Sequence, residues 1–104
     1  MGKKKFIAFN RFKVKLKREI EFENIWTNRE TYLNNVPGFI QFHLVKGKTE
    51  DSYTLYASHS TWESRRDFEN WTKSESFRKS HKDAGAHSDI YFEHPQFEGF
   101  EVII

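Results

Sequence analysis

The stretch FIAFNRFKVKL, residues 6–16, decides the fold because its side chains alternate with the period of a β-strand. One face of the predicted strand carries Phe6, Ala8, Asn10, Phe12, Val14 and Leu16. The other face is apolar at one end, with Ile7 and Phe9, and basic at the other, with Arg11, Lys13 and Lys15. A strand with one apolar and one partly charged face is typical of an antiparallel sheet that packs against the core on one side.

Asn10 is the one polar residue on the apolar face of this strand. A buried amide without a hydrogen-bond partner costs about 1–3 kcal/mol. Asn10 therefore either bonds to neighbouring backbone or points into a pocket. The opposite face is apolar around Ile7 and Phe9, and a second copy of the chain is the simplest cover for it.

A helix and a hairpin follow the first strand. The pattern turns helical from Arg18 to Asn35, and the turn residues Val36-Pro37-Gly38 end it. Alternation returns at Phe39–Val45 and Tyr53–His59, separated by the polar residues 46–52, and this predicts an antiparallel hairpin.

Two short helices are predicted after the hairpin. Ser60 and Glu63 have the spacing of a capping box, and Trp62, Phe68 and Trp71 recur behind it at roughly helical intervals. These residues predict a first helix with one apolar stripe.

The second short helix carries the most informative histidine. Ser74 is its predicted N-cap, with Glu75 in the first turn, and Phe77 and His81 share one face. A histidine on the apolar side of a short helix is either a core-edge residue bonded to backbone or an iron ligand to a flat apolar cofactor. Spacing alone leaves both alternatives open.

The end of the chain completes the topology. Residues 82–99 are polar, and they predict a long irregular connection before a short strand at Phe100–Ile104. The order β-α-β-β-α-α-β predicts one α+β domain, residues 1–104: a ferredoxin-like sandwich, with an antiparallel sheet and helices on one face.

Composition narrows the possible functions. Of 104 residues, 37% are hydrophobic and 31% charged, which fits a globular protein. Aromatic residues make up 17%, eleven of them Phe, and such rings build either a plain core or a pocket for a planar ligand. Cysteine is absent, which excludes disulfides, thiolate metal sites and thiol nucleophiles.

Charge and hydropathy indicate no membrane or nucleic-acid partner. The net charge is +2, and the basic residues of the first strand alternate with apolar ones instead of flanking exposed rings. No signal peptide and no apolar run long enough to span a bilayer is present, so a cytoplasmic location is the expectation.

Three motifs carry a family resemblance: FNRF at residues 9–12, a strand-to-helix passage ending in Trp, and W-x-x-S-x-x-F-x-x-x-H at residues 71–81. Together they resemble the antibiotic biosynthesis monooxygenase (ABM) superfamily and, within it, the IsdG-type heme-degrading monooxygenases. The likeness runs from Phe6 through VPGF at residues 36–39 to FEGFEV at residues 97–102.

The resemblance implies a heme oxygenase in which heme is both cofactor and substrate. Each subunit of a homodimer, a dimeric α/β barrel, would hold one heme between its sheet and its helices. The porphyrin would be opened with dioxygen and an unidentified electron donor, and the iron released. The alternatives are a heme-independent ABM-type oxygenase on an aromatic or quinol metabolite, and a non-catalytic heme storage or transfer protein.

The resemblance also assigns residues. His81 matches the proximal heme ligand, Asn10 the amide that donates to the attacking oxygen, and Trp71 the residue that distorts the porphyrin. Phe68 and Phe77 are expected to line the pocket or the core. The remaining histidines of interest have no place in this set: His59 is expected to be structural, and His87 and His94 to lie on solvated surface or to serve as alternative ligands.

Overall fold

A computed structural model describes residues 4–29, 32–81 and 88–104. These ranges contain four strands, three α-helices and one short 3₁₀ turn (Ser88–Ile90). The elements in chain order are β1 (Phe6–Lys15), α1 (Glu19–Thr27), β2 (Phe39–Thr49), β3 (Tyr53–Trp62), α2 (Arg65–Thr72), α3 (Glu75–His81) and β4 (Tyr91–Glu101).

The strands form one antiparallel sheet in the order β2-β3-β1-β4. β1 is therefore central, paired with β3 along its whole length and with β4 on its other side. This is the α+β ferredoxin-like arrangement that the sequence predicts.

The inner face of β1 holds the core, as its alternation predicts. Phe6, Ala8, Phe12 and Val14 are buried, whereas Asn10 is half-buried. The expectation is wrong for Leu16, which lies beyond the end of β1 and is 39% exposed. The chain leaves the sheet there through Lys17, at φ 74°, a conformation that ends the extended backbone.

Two clusters of aromatic and aliphatic side chains pack between the sheet and the helices. The α1 cluster consists of Phe12, Val14, Phe22, Tyr56 and Ile90. The α2 cluster consists of Phe6, Ala8, Leu33 and Trp62, with Phe68 and Trp71 packed against it. Asn10 lies between them on β1, separated from Phe12 and Ala8 by one residue each.

The first helix is shorter than predicted. It ends at Thr27 instead of Asn35, and the backbone N–H of Asn28 closes its last turn on the carbonyl of Asn24. Turns at residues 34–35 and 37–38 lead into β2, and the second of them needs Gly38 at φ 82°. A Cβ at Gly38 would stand 2.3 Å from the carboxyl carbon of Asp67, so this glycine also allows α2 to approach.

The predicted capping box is wrong. Both hairpin strands are longer than expected, and β3 continues to Trp62, so Ser60 lies in a strand, where its hydroxyl accepts a 2.9 Å hydrogen bond from the indole N–H of Trp62. The N-cap of α2 is Ser64, whose hydroxyl oxygen accepts from the backbone N–H of Asp67 at 3.2 Å. Trp62 is consequently a fully buried strand residue and not part of a helical stripe.

The predicted irregular connection at residues 82–99 is also wrong over its second half. Its first part, residues 82–87, lies outside the described residues. From Tyr91 the chain is a strand that runs to Glu101, so the predicted terminal strand at Phe100–Ile104 is only the end of β4. The pairing of β4 with β1 shifts register beside Lys13, and Pro95 falls within that irregular stretch.

The helices of the described ranges pack on the inner face of the sheet and leave its outer face uncovered. Phe9 contacts the rings of His59 and Phe100 edge-on, at 4.9 and 5.9 Å between ring centroids. Farther along the same face, Arg11 pairs with Glu98 at 3.1 Å. This face therefore has an aromatic end and a charged end. Within the described ranges, no helix has the length and hydrophobicity required to cross a membrane.

Candidate active site

A cavity of about 370 Å³ lies between the inner face of the sheet and the three α-helices. Its wall is mostly apolar and aromatic, with a few polar groups, and its volume falls in the usual range for small-molecule sites. All five residues predicted from the sequence line it, namely Asn10, Phe68, Trp71, Phe77 and His81. They share it with Ala8, Trp26, Arg29, Leu33, Phe42, Ser58, Ser60, Thr72, Ser80 and Phe97.

Asn10 provides the amide on the sheet side of the cavity. It pairs with Ser58 of β3 and Phe97 of β4 in the strand register, so it lies in the middle of the sheet. Within the described residues, no hydrogen bond occupies its side-chain amide. The amide is therefore available to a ligand.

His81 provides the imidazole at the end of α3. The helix starts as predicted, because the Ser74 hydroxyl accepts from the backbone N–H of Phe77 at 3.2 Å and Glu75 occupies the first turn. One turn later, the Phe77 ring stacks on the His81 ring with centroids 4.0 Å apart. The predicted shared face of Phe77 and His81 is thereby confirmed.

The hydrogen bonds of His81 fix its tautomer. Its Nδ1 lies 2.9 Å from the backbone carbonyl oxygen of Phe77 and 2.8 Å from the Ser80 hydroxyl. A carbonyl oxygen can only accept, so Nδ1 carries the proton and Nε2 keeps its lone pair. Burial lowers the pKa of His81 below its ordinary value, despite the opposing bond to Phe77, and this keeps the ring neutral. A neutral imidazole with a free Nε2 is a metal ligand.

Trp71 forms the wall beside His81. Its ring lies 5.9 Å from that of His81 and meets the Phe77 ring edge-on at 4.8 Å. On its other side it packs 5.2 Å from the fully buried Trp62. Its indole N–H is buried and has no hydrogen-bond partner among the described residues.

Among the cavity residues that were not predicted from the sequence as site residues, Arg29, Ser80 and Phe97 make contacts that bear on the predicted ones. Phe97 stacks on Phe68 at 5.6 Å and lies opposite Asn10, a position that follows once β4 is recognised as a strand. Arg29 follows the end of α1, where its Nε donates to the Ser80 carbonyl at 2.8 Å. No local motif identifies Arg29 or Ser80, because their contact joins residues 51 positions apart.

Among the described residues, the histidines other than His81 are not part of the cavity wall. His59 is on the outer face of β3, beside His43 and Phe9, and its buried Nδ1 has no hydrogen-bond partner among the described residues. His94 is an exposed residue of β4. His87 lies outside the described residues.

A family comparison agrees with this architecture. Residues 5–83 match the model of the family described as "Antibiotic biosynthesis monooxygenase". The chain belongs to this family. ABM proteins are monooxygenases, so the cavity is the candidate active site of an oxygenase.

Solved structures of the same fold include enzymes of two kinds. MhuD of Mycobacterium tuberculosis, a heme degrader with two hemes bound in its active site, is 22% identical with a TM-score of 0.72, covering 95% of this chain and 96% of MhuD. SnoaB of Streptomyces nogalater, a cofactor-independent oxygenase, is 19% identical with a TM-score of 0.70, covering 97% and 95%. A Bacillus cereus protein assigned to the ABM family is 22% identical with a TM-score of 0.74, covering 95% and 93%.

Proposed function

We propose that the protein is a heme-degrading monooxygenase that opens the porphyrin ring and releases its iron. The observation that carries the proposal is the pairing of two groups across one apolar cavity. His81 offers a neutral imidazole nitrogen from the helical side, and Asn10 offers an unoccupied amide from the sheet side. Oxygen chemistry at a bound iron needs one group to hold the metal and another to direct the oxygen.

The donor set fits iron in a porphyrin better than a bare metal ion. In the described ranges, no three His, Asp or Glu side chains gather as in a protein-built metal site. A lone imidazole suffices when a macrocycle supplies the other in-plane ligands, as in heme proteins with one proximal histidine. The contact between Nδ1 of His81 and the Phe77 carbonyl is the kind of supporting bond that orients a ligating imidazole.

The walls of the cavity also suit a flat ligand with an anionic edge. Trp26, Phe42, Phe68 and Phe97 supply aromatic surface around it. Arg29 adds one half-buried cation, and no carboxylate within the described ranges lies at salt-bridge distance from it. A porphyrin that carries propionate groups would bring the missing negative charge.

The chemistry divides among three residues. Heme supplies the iron that reacts with dioxygen, and it is also the molecule that is cut. His81 would hold the iron through Nε2, while Nδ1 keeps its proton and donates a hydrogen bond to the Phe77 carbonyl. Asn10 would donate an amide N–H to oxygen bound in the cavity and so orient it toward the edge of the ring. Trp71, fixed against Trp62, would contact the face of the bound ligand and favour a distorted ring.

A homodimer is part of the proposal. The outer face of the sheet exposes aromatic surface, with Phe100 48% exposed beside Phe9. Its charged end carries both signs, with Arg11 next to Glu98 and Lys13 next to Glu93. A face with apolar and mixed-charge patches can pair with its own copy around a two-fold axis.

The heme-degrading relative supports this function, and the cofactor-independent relative supplies its main rival. An ABM oxygenase that needs no cofactor would require a pocket but no iron ligand. In that case the free Nε2 of His81 would have no role. A heme storage protein would use the ligand but would not cut the ring.

One titration tests these options. Hemin added to the metal-free protein should give a Soret band at one heme per chain, and ascorbate in air should then bleach it and release iron. His81→Ala should abolish the bleaching and weaken hemin binding by at least about tenfold, because iron loses the protein ligand that this proposal assigns to it. His94→Ala, which removes an exposed imidazole from β4, is the matched control and should behave like the wild type.

Each other outcome has a clear meaning. A Soret band that persists in the presence of reductant and oxygen would indicate a storage or transfer protein. Equal hemin binding by the wild type and His81→Ala would contradict the ligand assignment and favour the heme-independent oxygenase.

A further inference from the structure

The end of α3 depends on a side chain from another helix. The last carbonyls of an α-helix have no partner within the helix, and arginine side chains often satisfy them. In α3 the carbonyl of Ser80 has this position, and the Nε of Arg29 donates to it at 2.8 Å. Arg29 belongs to the segment that follows α1, so this bond joins the two helices across the cavity wall.

Arg29 is itself held by the core. Its guanidinium lies 4.6 Å above the Trp26 ring, and its backbone N–H donates to the Trp26 carbonyl at 3.3 Å. Trp26 in turn contacts the rings of Phe12 and Phe42, both residues of the sheet. The position of the guanidinium is therefore set by the packed sheet rather than by the short helix it contacts.

The half-buried position of Arg29 carries a cost in solvation free energy. Burial lowers its pKa, and within the described ranges no carboxylate forms a salt bridge with it. A half-buried cation without a counter-ion loses solvation free energy that an apolar residue of the same size would not lose. Methionine at this position could make neither the hydrogen bond to Ser80 nor the cation–π contact with Trp26.

Further hydrogen bonds connect Ser80 to the imidazole of His81. The Ser80 hydroxyl donates to the Phe77 carbonyl at 3.0 Å, so its oxygen is left to accept from Nδ1 of His81, 2.8 Å away. One hydrogen-bond network thus connects the Phe77 carbonyl, Ser80 and His81. Arg29 binds the backbone carbonyl of Ser80, which lies in the middle of this network. Ser80 is 8% exposed, which leaves its side chain little freedom to move.

We propose that Arg29 is a positioning residue for His81, acting through Ser80 to keep the Nδ1-protonated tautomer and to point Nε2 into the cavity. The consequence for heme rests on the proposed function, but the effect on the imidazole is a property of the metal-free protein. The two can therefore be measured separately.

The decisive experiment is ¹H–¹⁵N NMR of the histidine rings in the metal-free protein. The wild type should show His81 as a single Nδ1-protonated tautomer. Arg29→Met keeps an unbranched side chain beside Trp26 and removes the guanidinium that donates to Ser80, so His81 should change to a mixture of tautomers or to broadened signals. Arg66→Met, which removes an exposed arginine from α2, should leave the His81 signals unchanged.

Hemin binding separates positioning from direct contact with the ligand. If Arg29 acts on His81, Arg29→Met should weaken binding of the dimethyl ester of hemin by about tenfold or more, and binding of hemin by at least as much. If it acts only by pairing with a propionate, the variant should weaken hemin alone and leave the ester unaffected. That second result, with unchanged His81 signals, would overturn the inference.

A second variant covers the case in which Arg29→Met does not fold. Arg29→Lys keeps the charge but lacks the planar fork, and it should shift the His81 signals in the same direction by a smaller amount. Signals identical to those of the wild type would contradict a positioning role. If the wild type binds no hemin, the proposed function fails, while the NMR comparison still decides the role of Arg29.

Discussion

The two ends of the inner sheet face differ in how they are covered. At one end, α1 packs its rings into the sheet, and Phe12, Val14, Phe22, Tyr56 and Ile90 are all at most 6% exposed. At the other end, the cover is made of α2 and α3, which have 8 and 7 residues and are separated at Lys73–Ser74. The first end is filled, and the second leaves the cavity.

This difference shows what creates the site. A continuous helix can lay an apolar stripe along the sheet, whereas two short helices meet at a bend and cannot fill the space beneath it. The bend also brings Trp71 and His81, one from each short helix, to the same wall with ring centroids 5.9 Å apart. The filled end supplies stability, and the hollow end supplies ligand-binding groups.

The largest effect should come from the filled end. Phe22 is fully buried and contacts the rings of Phe12, Trp26, Tyr56 and Tyr91. Phe22→Ala should lower the free energy of unfolding by about 3–5 kcal/mol, because it removes apolar contacts and leaves a cavity. Denaturant unfolding measures this, and a loss below about 1 kcal/mol would contradict the proposed division between the two ends.

Phe77→Ala is the matched substitution at the hollow end. Phe77 is half-buried at the cavity and stacks on His81. The loss of unfolding free energy should be about 1 kcal/mol, since the ring already faces open space. The absorption spectrum of the hemin complex should nevertheless change, because the imidazole loses the ring that packs against it.

Asn10 should affect turnover much more than stability. Asn10→Ala removes an amide with no hydrogen-bond partner in the described part of the chain, so the free energy of unfolding should change by less than about 1 kcal/mol. Heme degradation should slow by about 100-fold, the size of effect seen when one oxyanion-directing donor is removed. Gln96→Ala in β4 is the control amide, and equal slowing in both variants would exclude a special role for Asn10.

The smallest effect should be a dependence of stability on pH. Burial lowers the pKa of His81 below its ordinary 6.5, so the folded protein resists protonation where the unfolded chain accepts it. His81 therefore contributes fully to stability above pH 6.5 and loses this contribution as the pH falls through the lower folded value. NMR titration of His81 in folded and urea-unfolded protein should show the lower midpoint in the folded state. A higher folded midpoint would contradict the burial argument.

Much of the fold could be predicted because strand alternation in β1 is a local signal. The exceptions have physical causes. The buried side of β3 includes Thr54, Ser58 and Ser60. Because these buried residues carry hydroxyl groups, the sequence of β3 does not show a regular alternation of apolar and polar residues. The spacing of Ser60 and Glu63 then matched a helix cap by chance, although the functional cap is one turn later at Ser64.

The last strand was missed for a different reason. β4 pairs on only one side, so seven of its residues in a row, Phe92 to Glu98, are exposed and show no apolar face. Edge strands also tolerate proline, and Pro95 and His94 therefore favoured a loop prediction. Because this strand was not predicted, the position of Phe97 opposite Asn10 in the strand register could not be predicted either.

Part of the cavity could be predicted, because some of its residues belong to local sequence motifs. Asn10, Trp71 and His81 came from the spacing of a family motif, and the structure brings them to one cavity. Arg29 and Ser80 could not be found in this way, because their contact arises only when α1 and α3 pack on the same sheet.

The central place of β1 has a consequence for how this molecule can evolve and respond. Consecutive residues of this strand serve opposite sides: Asn10 faces the cavity, and Phe9 faces the bare surface of the sheet. In the proposed homodimer, a partner subunit that packs on Phe9 would therefore contact the covalent neighbour of Asn10. A substitution that shifts this interface would then be expected to move the amide in the cavity, although no residue of the cavity has changed.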